Sequence, residues 1–375
     1  MDAPAGAAWL LEEALRRRAS DIHLEPTRNG VSVRLRVDGV LDELGLVAMS
    51  VGRALVNRWM VLAGLLTYRL DVPQEGRGAV EGPAGDTEVR VSVMPTNHGL
   101  RAVVRLPAAQ LGDAGLDDLR LPTAVRDGLA QFTNGGASAG GGMLILCGPA
   151  GSGKTTATYA VLRRFTEAGG LSVVSLEDPI ERDVPGVTQV EVRPFGELTY
   201  ERALRSLLRQ DPQVLALGEV RDAATAKVAV EAALSGHRLV TTLHAASVTG
   251  ALMRLLEMGV PAYQLVAAVS SVAALRLVRK RDGRGGYSGR IAVGSFAAMD
   301  APLRSALVGG VSGDELETTL HEQAGYETIA QSARALAHAG VTDAVELERS
   351  LGLGVNVEKM NHADASDVWF GKEPR

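Results

Sequence analysis

The sequence predicts an α/β protein built around a nucleotide-binding loop, and three observations carry that prediction. The apolar run Met143-Leu144-Ile145-Leu146-Cys147 has strand length and leads directly into Gly148-Pro149-Ala150-Gly151-Ser152-Gly153-Lys154-Thr155-Thr156, followed by a helical stretch opening at Tyr159-Ala160-Val161-Leu162. Strand, G-x-x-x-x-G-K-T and helix in that order form the phosphate-loop arrangement. Downstream, the apolar strands Leu171–Leu176, Val214–Leu217 and Leu239–Leu243 alternate with helical stretches and deliver polar residues at their ends. In an α/β sheet those carboxyl ends face the ligand crevice.

The loop sets the chemistry. Glycines let backbone N–H groups turn inward around phosphate oxygens, and the following helix aims the positive end of its dipole at the same anion. Gly148, Ala150, Gly151, Ser152, Gly153, Lys154, Thr155 and Thr156 therefore form the candidate phosphate cradle. Lys154 is positioned to reach the β- and γ-phosphates of a nucleotide, and Thr155 to ligate Mg²⁺.

The chain has 375 residues, enough for two domains, and is 46% hydrophobic and 22% charged, as in soluble globular proteins. A net charge of -5 supplies no global basic field for nucleic acid. The single cysteine, Cys147, excludes an internal disulfide and a multi-cysteine zinc site, and suits a reducing compartment. Met1–Gly6 lacks the layout of a signal peptide, and the longest apolar helical candidate, Leu265–Leu275, is too short to span a bilayer. These features predict a cytoplasmic protein.

In the first hundred residues, Leu10–Arg18 reads as a helix. Ala19–Pro26 leads into a half-buried strand in which Val31, Val33, Leu35 and Val37 alternate with Ser32, Arg34 and Arg36. Asp38-Gly39 is a hairpin signal. Arg53–Leu66 reads as a helix and Pro73–Gly78 as a loop. Two further alternating runs, Val89–Val93 and Arg101–Leu106, flank the turn-rich stretch Pro95–Gly99. A hairpin folded about Asn97–His98 sets Arg90 opposite Arg105. Like charges in that position destabilise a sheet. Either an anion sits between the two, or both reach solvent, or Glu88 compensates.

Pro107–Arg120 has no strong periodicity and reads as a linker, Leu121–Phe132 as a helix, and Asn134–Gly142 as a glycine-rich surface loop. Leu171–Leu176 ends in Glu177-Asp178-Pro179-Ile180-Glu181. Helix Thr199–Gln210 carries Arg202, Arg205 and Arg209 on one stripe, opposite Leu204, Leu207 and Leu208. The strand Val214–Leu217 delivers Gly218-Glu219, where a carboxylate can hold Mg²⁺ through water or orient the attacking water. Asp222 caps a helix through Leu234, and Leu239–Leu243 presents His244 as a candidate phosphate sensor. Ser247–Met258 and Pro261–Arg279 read as helices and Arg279–Gly289 as a basic loop. Leu303–Leu307, Glu315–Gln323 and Ile329–Ala337 read as a small helical tail domain, and Asn356–Arg375 as a frayed end.

Taken together, Ala19–Pro26, Arg36–Leu41, Pro73–Arg77, Arg90-Val91-Ser92 with Pro95-Thr96, the phosphate loop, Leu176–Glu181, Leu208–Pro212, Leu217–Asp222 and Thr241–Ala245 resemble the secretion ATPase superfamily. The branch they match is the type II secretion and type IV pilus assembly ATPases (GspE/PilB-like). The resemblance runs from about Ala19 to about Leu351. It implies a RecA-like P-loop NTPase domain (121–352, with a helical carboxyl part) preceded by a smaller PAS-like α/β domain (1–106), a linker at 107–120 and a tail at 353–375. It also implies a homo-hexamer hydrolysing ATP with Mg²⁺, docked on an inner-membrane platform protein, with no nucleic-acid partner. By the same match, Arg90, Arg105, Arg205, Arg209 and Arg290 contact or sense phosphates, Glu177 and Glu219 are catalytic carboxylates with Glu219 also at the metal, and His244 reports on the γ-phosphate. The sequence departs from that pattern at three places. Lys280–Ser288 holds no cysteine where type II members carry a zinc module. Leu275 replaces a usual glutamine. The family's amino-terminal platform-docking domains are not in this sequence, as expected either of a piece of a longer protein or of a short paralogue. A pilus-retraction or DNA-translocating ring ATPase, and a non-hydrolysing nucleotide-binding scaffold, are the rival expectations.

Overall fold

The computed structural model describes residues 2–82, 85–107, 114–134, 140–192 and 198–353. The chain divides into two compact units, Met1–Leu111 and Gly112–Arg375, and the protein is α/β in both.

The first unit runs α1 (Ala3–Arg16), β1 (Ala19–Thr27), β2 (Gly30–Val37), β3 (Val40–Val47), α2 (Met49–Leu62), β4 (Gln74–Gly82), β5 (Gly85–Thr96) and β6 (Gly99–Arg105). Its strands form one sheet in the order β3-β2-β1-β6-β5-β4. The alternation read from the sequence decides which face is buried. Ile22, Leu24, Val31, Val33, Leu35, Val89, Val91, Val93, Ala102 and Val104 close on Leu10, Leu11, Leu55, Trp59 and Met60 of the two helices. The Asp38-Gly39 turn has positive φ at both residues, 49° and 85°, and pairs Val37 with Val40, as a two-residue hairpin requires.

One expectation is corrected here. Pro73–Gly78 is not a loop: from Gln74 onward it is β4, paired with β5 from Gln74↔Val93 to Gly82↔Gly85. Its glycines are there because the carboxyl end of α2 lies against them. A Cβ built on Gly78 would sit 1.9 Å from the Leu62 carbonyl oxygen, and one on Gly76 2.4 Å from that of Ala63.

The second unit runs α3 (Thr123–Thr133), β7 (Gly142–Cys147), α4 (Lys154–Ala168), β8 (Val173–Glu177), β9 (Thr188–Glu191), α5 (Tyr200–Leu207), β10 (Val214–Leu217), α6 (Ala223–Leu234), β11 (Arg238–Leu243), α7 (Val248–Glu257), α8 (Ala262–Ala268), β12 (Val269–Arg281), β13 (Tyr287–Ala298), α9 (Ala301–Gly309), α10 (Gly313–Glu322), α11 (Ile329–His338) and α12 (Ala344–Leu351). The sheet order is β13-β12-β7-β11-β10-β8-β9, parallel except for the β12–β13 pair. On β7, Leu144 and Leu146 pack with α3 and α4, while Met143, Ile145 and Cys147 pack on the opposite face with α6, α7 and α8. Strands buried on both faces read as continuous apolar runs.

That property explains the second correction. Pro261–Arg279 is helical only as far as Ala268; Val269–Arg281 is a strand beside β7. Ala273, Ala274 and Leu275 are buried on both sides of the sheet, so their apolar run carries no alternation to separate strand from helix. The basic stretch Arg279–Gly289 is accordingly the end of β12, a tight turn and the start of β13. Leu116, Leu119 and Leu121, read as linker or its edge, are buried in the second unit's core. Helix α12 adds to the three tail helices that the sequence predicts. Asn356–Arg375 lies outside the described residues, as do 108–113 of the expected linker and most of the glycine-rich loop.

Candidate functional site: a phosphate loop and its carboxylates

The phosphate loop joins β7 to α4, which begins at Lys154, five residues ahead of the expected start. Gly151 and Gly153 have φ of +72° and +95°, which side-chain-bearing residues rarely adopt. Gly148 is needed for space: a Cβ there would lie 2.4 Å from Ser152 Oγ and 2.5 Å from the Leu275 carbonyl oxygen. The loop is tied to the end of β11, with Gly148 N donating to Leu243 O at 3.2 Å.

Lys154 is 8% exposed, and its Nζ donates to the carbonyls of Gly148 and Pro149, both at 2.8 Å. Burial lowers its pKa, and the negative charge of Glu219 opposes that shift. Ser152 Oγ, in the same loop, is buried and has no hydrogen-bond partner among the described residues. Thr155 and Thr156 are half-buried in the first turn of α4, and Ala150 and Gly151 are exposed. An ammonium held only by loop carbonyls, an unsatisfied hydroxyl and a helix amino end together suit a phosphate.

Facing this loop electrostatically is a chain of ion pairs at the carboxyl ends of β8, β10 and β11. Glu219 accepts from Arg221 Nε on one oxygen and lies 3.1 Å from His244 Nε2 on the other. Arg221 Nη1 reaches Asp178 at 3.2 Å. The Glu219 side chain is 15% exposed and that of His244 51%. Thr242 Oγ1 donates to Gly218 O at 2.6 Å and Val220 N to Thr242 O at 3.0 Å, which fixes the end of β10 against β11. The sequence alone assigns no role to Asp178 or Arg221, which lie inside the motifs Leu176–Glu181 and Leu217–Asp222. The signal for Asp178 was its place next to Glu177, since consecutive residues at a strand end project to opposite faces.

Glu177 has different surroundings. Its buried carboxylate accepts from Ser175 Oγ at 2.6 Å, from Gln189 Nε2 at 2.9 Å and from the Tyr159 hydroxyl. Burial, reinforced by that hydrogen bond to Glu177, raises the Tyr159 pKa and keeps the phenol a donor.

The arginines are not gathered at the loop. Arg205 is on the exposed side of α5 and Arg209 is exposed in the turn just past its end, with Arg205 Nη2 on Glu201 at 3.0 Å and Arg209 Nη1 on the Arg205 carbonyl at 2.9 Å. Helix α5 packs on the sheet face opposite α4. Arg290 is on β13, opposite Arg279. Within the first unit, Arg90 does stand opposite Arg105, and Arg77 flanks Arg90 on the other side. Asp21 from β1 answers Arg105 at 3.0 Å, so the compensating carboxylate is Asp21 rather than Glu88. Arg90 makes no ion pair among the described residues.

Among the described residues, no three or more His, Cys, Asp or Glu side chains gather as a metal site. Thr155, with Glu219 acting through water, fits a Mg²⁺ ion carried on nucleotide phosphates, which needs few protein ligands.

Residues 7–349 match the family described as Type II/IV secretion system protein. The chain is 35% identical over 348 residues to the type II secretion system protein HxcR of Pseudomonas aeruginosa, covering 87% of this chain and 70% of that one. It is 34% identical to the type II secretion system protein E of Klebsiella pneumoniae, covering 91% and 74%. To the type IV pilus assembly ATPase PilB of Thermus thermophilus it is 32% identical, covering 90% of this chain but 42% of that one. The fold is similar to the Legionella pneumophila ATPase DotB, with a TM-score of 0.74 at 20% identity, covering 92% of this chain and 95% of that one. The pilus retraction motor PilT with bound ADP aligns with a TM-score of 0.64 at 21% identity, covering 92% and 96%. With a family match across most of its length and relatives above 30% identity, the chain belongs to the type II/IV secretion system protein family.

Proposed function

We propose that this chain is an ATP-hydrolysing motor subunit of a type II secretion or type IV pilus assembly machine. In this reading it works as a homo-hexamer at the inner face of the cytoplasmic membrane, docked on a platform protein, and couples hydrolysis to domain motion that drives pilin or pseudopilin assembly. The names of its relatives support the machine. The observation that carries the activity is Lys154: a buried ammonium held, among the described residues, by loop carbonyls alone, at the amino end of α4 and electrostatically coupled to Glu219.

Phosphoryl transfer asks the protein for positioning and charge neutralisation. The loop amides and Lys154 hold the β- and γ-phosphates. Thr155 and Glu219 hold Mg²⁺, which when bound neutralises phosphate charge. Glu219 orients the attacking water, and His244, on its other oxygen, senses the γ-phosphate. Arg90 and Arg105 contact phosphates, a role supported by three arginines standing abreast on β4, β5 and β6. Arg205, Arg209 and Arg290 serve the same anion within the ring.

Phosphate release and nucleotide binding test this. Lys154→Ala should lose both, and Glu219→Gln should bind ATP normally while turnover falls at least about a hundredfold. Wild-type turnover in either variant refutes the assignment.

A further inference from the structure

The hydrogen bonds of Glu177 give it a different job from Glu219. The residue is 6% exposed, and its carboxylate takes three neutral donors from three different elements: Tyr159 of α4, Ser175 of β8 and Gln189 of β9. The same Gln189 amide donates to Arg182 O at 3.0 Å and accepts from Val184 N at 2.8 Å, so the segment between β8 and β9 is fastened to it as well. The Glu181 amide donates to Tyr159 Oη at 3.3 Å. Tyr159 lies five residues beyond Lys154 on α4, about one and a half helical turns.

We propose that Glu177 is a positioning residue: through Tyr159 it braces the phosphate-loop helix against β8 and β9, and so sets where Lys154 and Thr155 meet the phosphates. Glu219 is then the carboxylate at the reacting end. This rests on the nucleotide site proposed above and adds to it the device that holds the site's helix.

The geometry explains why a carboxylate is used. One group accepts from a phenol, an alcohol and an amide together, which needs two oxygens and no proton of its own. Breaking one of these bonds leaves a buried polar group short of a partner.

The test is ADP titration with a fluorescent analogue, together with steady-state kinetics, on the full chain. Tyr159→Phe removes only the hydroxyl and should weaken ADP binding and raise KM for ATP about three- to tenfold, with kcat within about twofold. Glu177→Gln should move the same two constants, and the double variant should cost less than the product of the singles, because both act through one contact. Tyr159→Phe with unchanged ADP affinity overturns the brace. So does Glu177→Gln with a hundredfold loss of kcat and unchanged ADP affinity, since Glu177 would then act on the reacting atoms. If the wild-type chain binds no ADP at all, the nucleotide site itself fails, a result distinct from either.

Discussion

His23 is 5% exposed on β1, and neither ring nitrogen finds a hydrogen-bond partner among the described residues. Burial, followed by the charge of Arg36, pushes its pKa down to about 4, with Asp21 opposing and Arg101 and Arg34 adding to the shift. The sign follows from linkage. An unfolded histidine takes its proton near pH 6.5, whereas the folded one resists until about pH 4. Stability should therefore fall as pH drops through that window, by about 2 kcal/mol at pH 5 and about 3–4 kcal/mol at pH 4, at about 1.4 kcal/mol per pH unit before relaxation. Thermal melts at pH 7.5 and 5.0 should differ, and His23→Gln should flatten the difference. An equally steep dependence in the variant assigns it elsewhere. The motif around His23 was visible in the sequence, but the guanidiniums beside it come from β2 and β6, so only pairing reveals its environment.

Element boundaries turn on where backbones approach. Strand β4 reads as a loop because Gly76 and Gly78 look like turn residues, yet both are there to admit the carboxyl end of α2. Gly78→Ala should destabilise by about 1–3 kcal/mol through overpacking in urea unfolding, as the built Cβ meets a carbonyl rather than a flexible side chain. Gly309→Ala, where no atom lies within 4 Å of the built Cβ, is the matched control and should be near neutral. Equal midpoints for the two variants contradict the packing argument. Strand β12 failed for a different reason: burial on both faces erases the period that identifies a strand. Hairpin register was legible to the residue. Arg90 pairs with Arg105 because the turn at Asn97–His98 and the strict alternation around it leave one arrangement that buries Val91 and Val104.

The end of the second unit is held by one buried carboxylate. The Glu346 side chain is 0% exposed and accepts from Arg279 Nε at 2.8 Å, Arg349 Nε at 2.7 Å and the Arg279 amide at 3.0 Å, docking α12 on β12. Burial alone would raise its pKa, but the hydrogen bonds from Arg349 and Arg279 outweigh it and hold the group below the usual carboxylate range. A depressed carboxyl pKa stabilises the fold above the unfolded value of about 4.3 and is lost as pH falls through the folded value. Glu346→Ala should cost about 2–4 kcal/mol, since it removes the carboxylate that Arg279, 18% exposed, is paired with, while Arg349, 39% exposed, can turn to water. Limited proteolysis should then cut between α11 and α12, and unchanged protection there would show that α12 docks through its apolar contacts alone.

By itself the sequence determined whatever depends on local chemistry. That covers the phosphate loop, whose glycines and lysine have one physical use, the helix cap at Asp222, the Asp38-Gly39 hairpin and the opposition of Arg90 and Arg105. Tertiary structure alone decided the partners of each charge. Glu177 and Glu219 look alike as acids ending apolar strands, but one meets Tyr159, Ser175 and Gln189 while the other meets Arg221 and His244. The reason is that side-chain direction alternates at a strand end and the neighbouring strands arrive from distant parts of the chain, so no local spacing records which group a carboxylate will face.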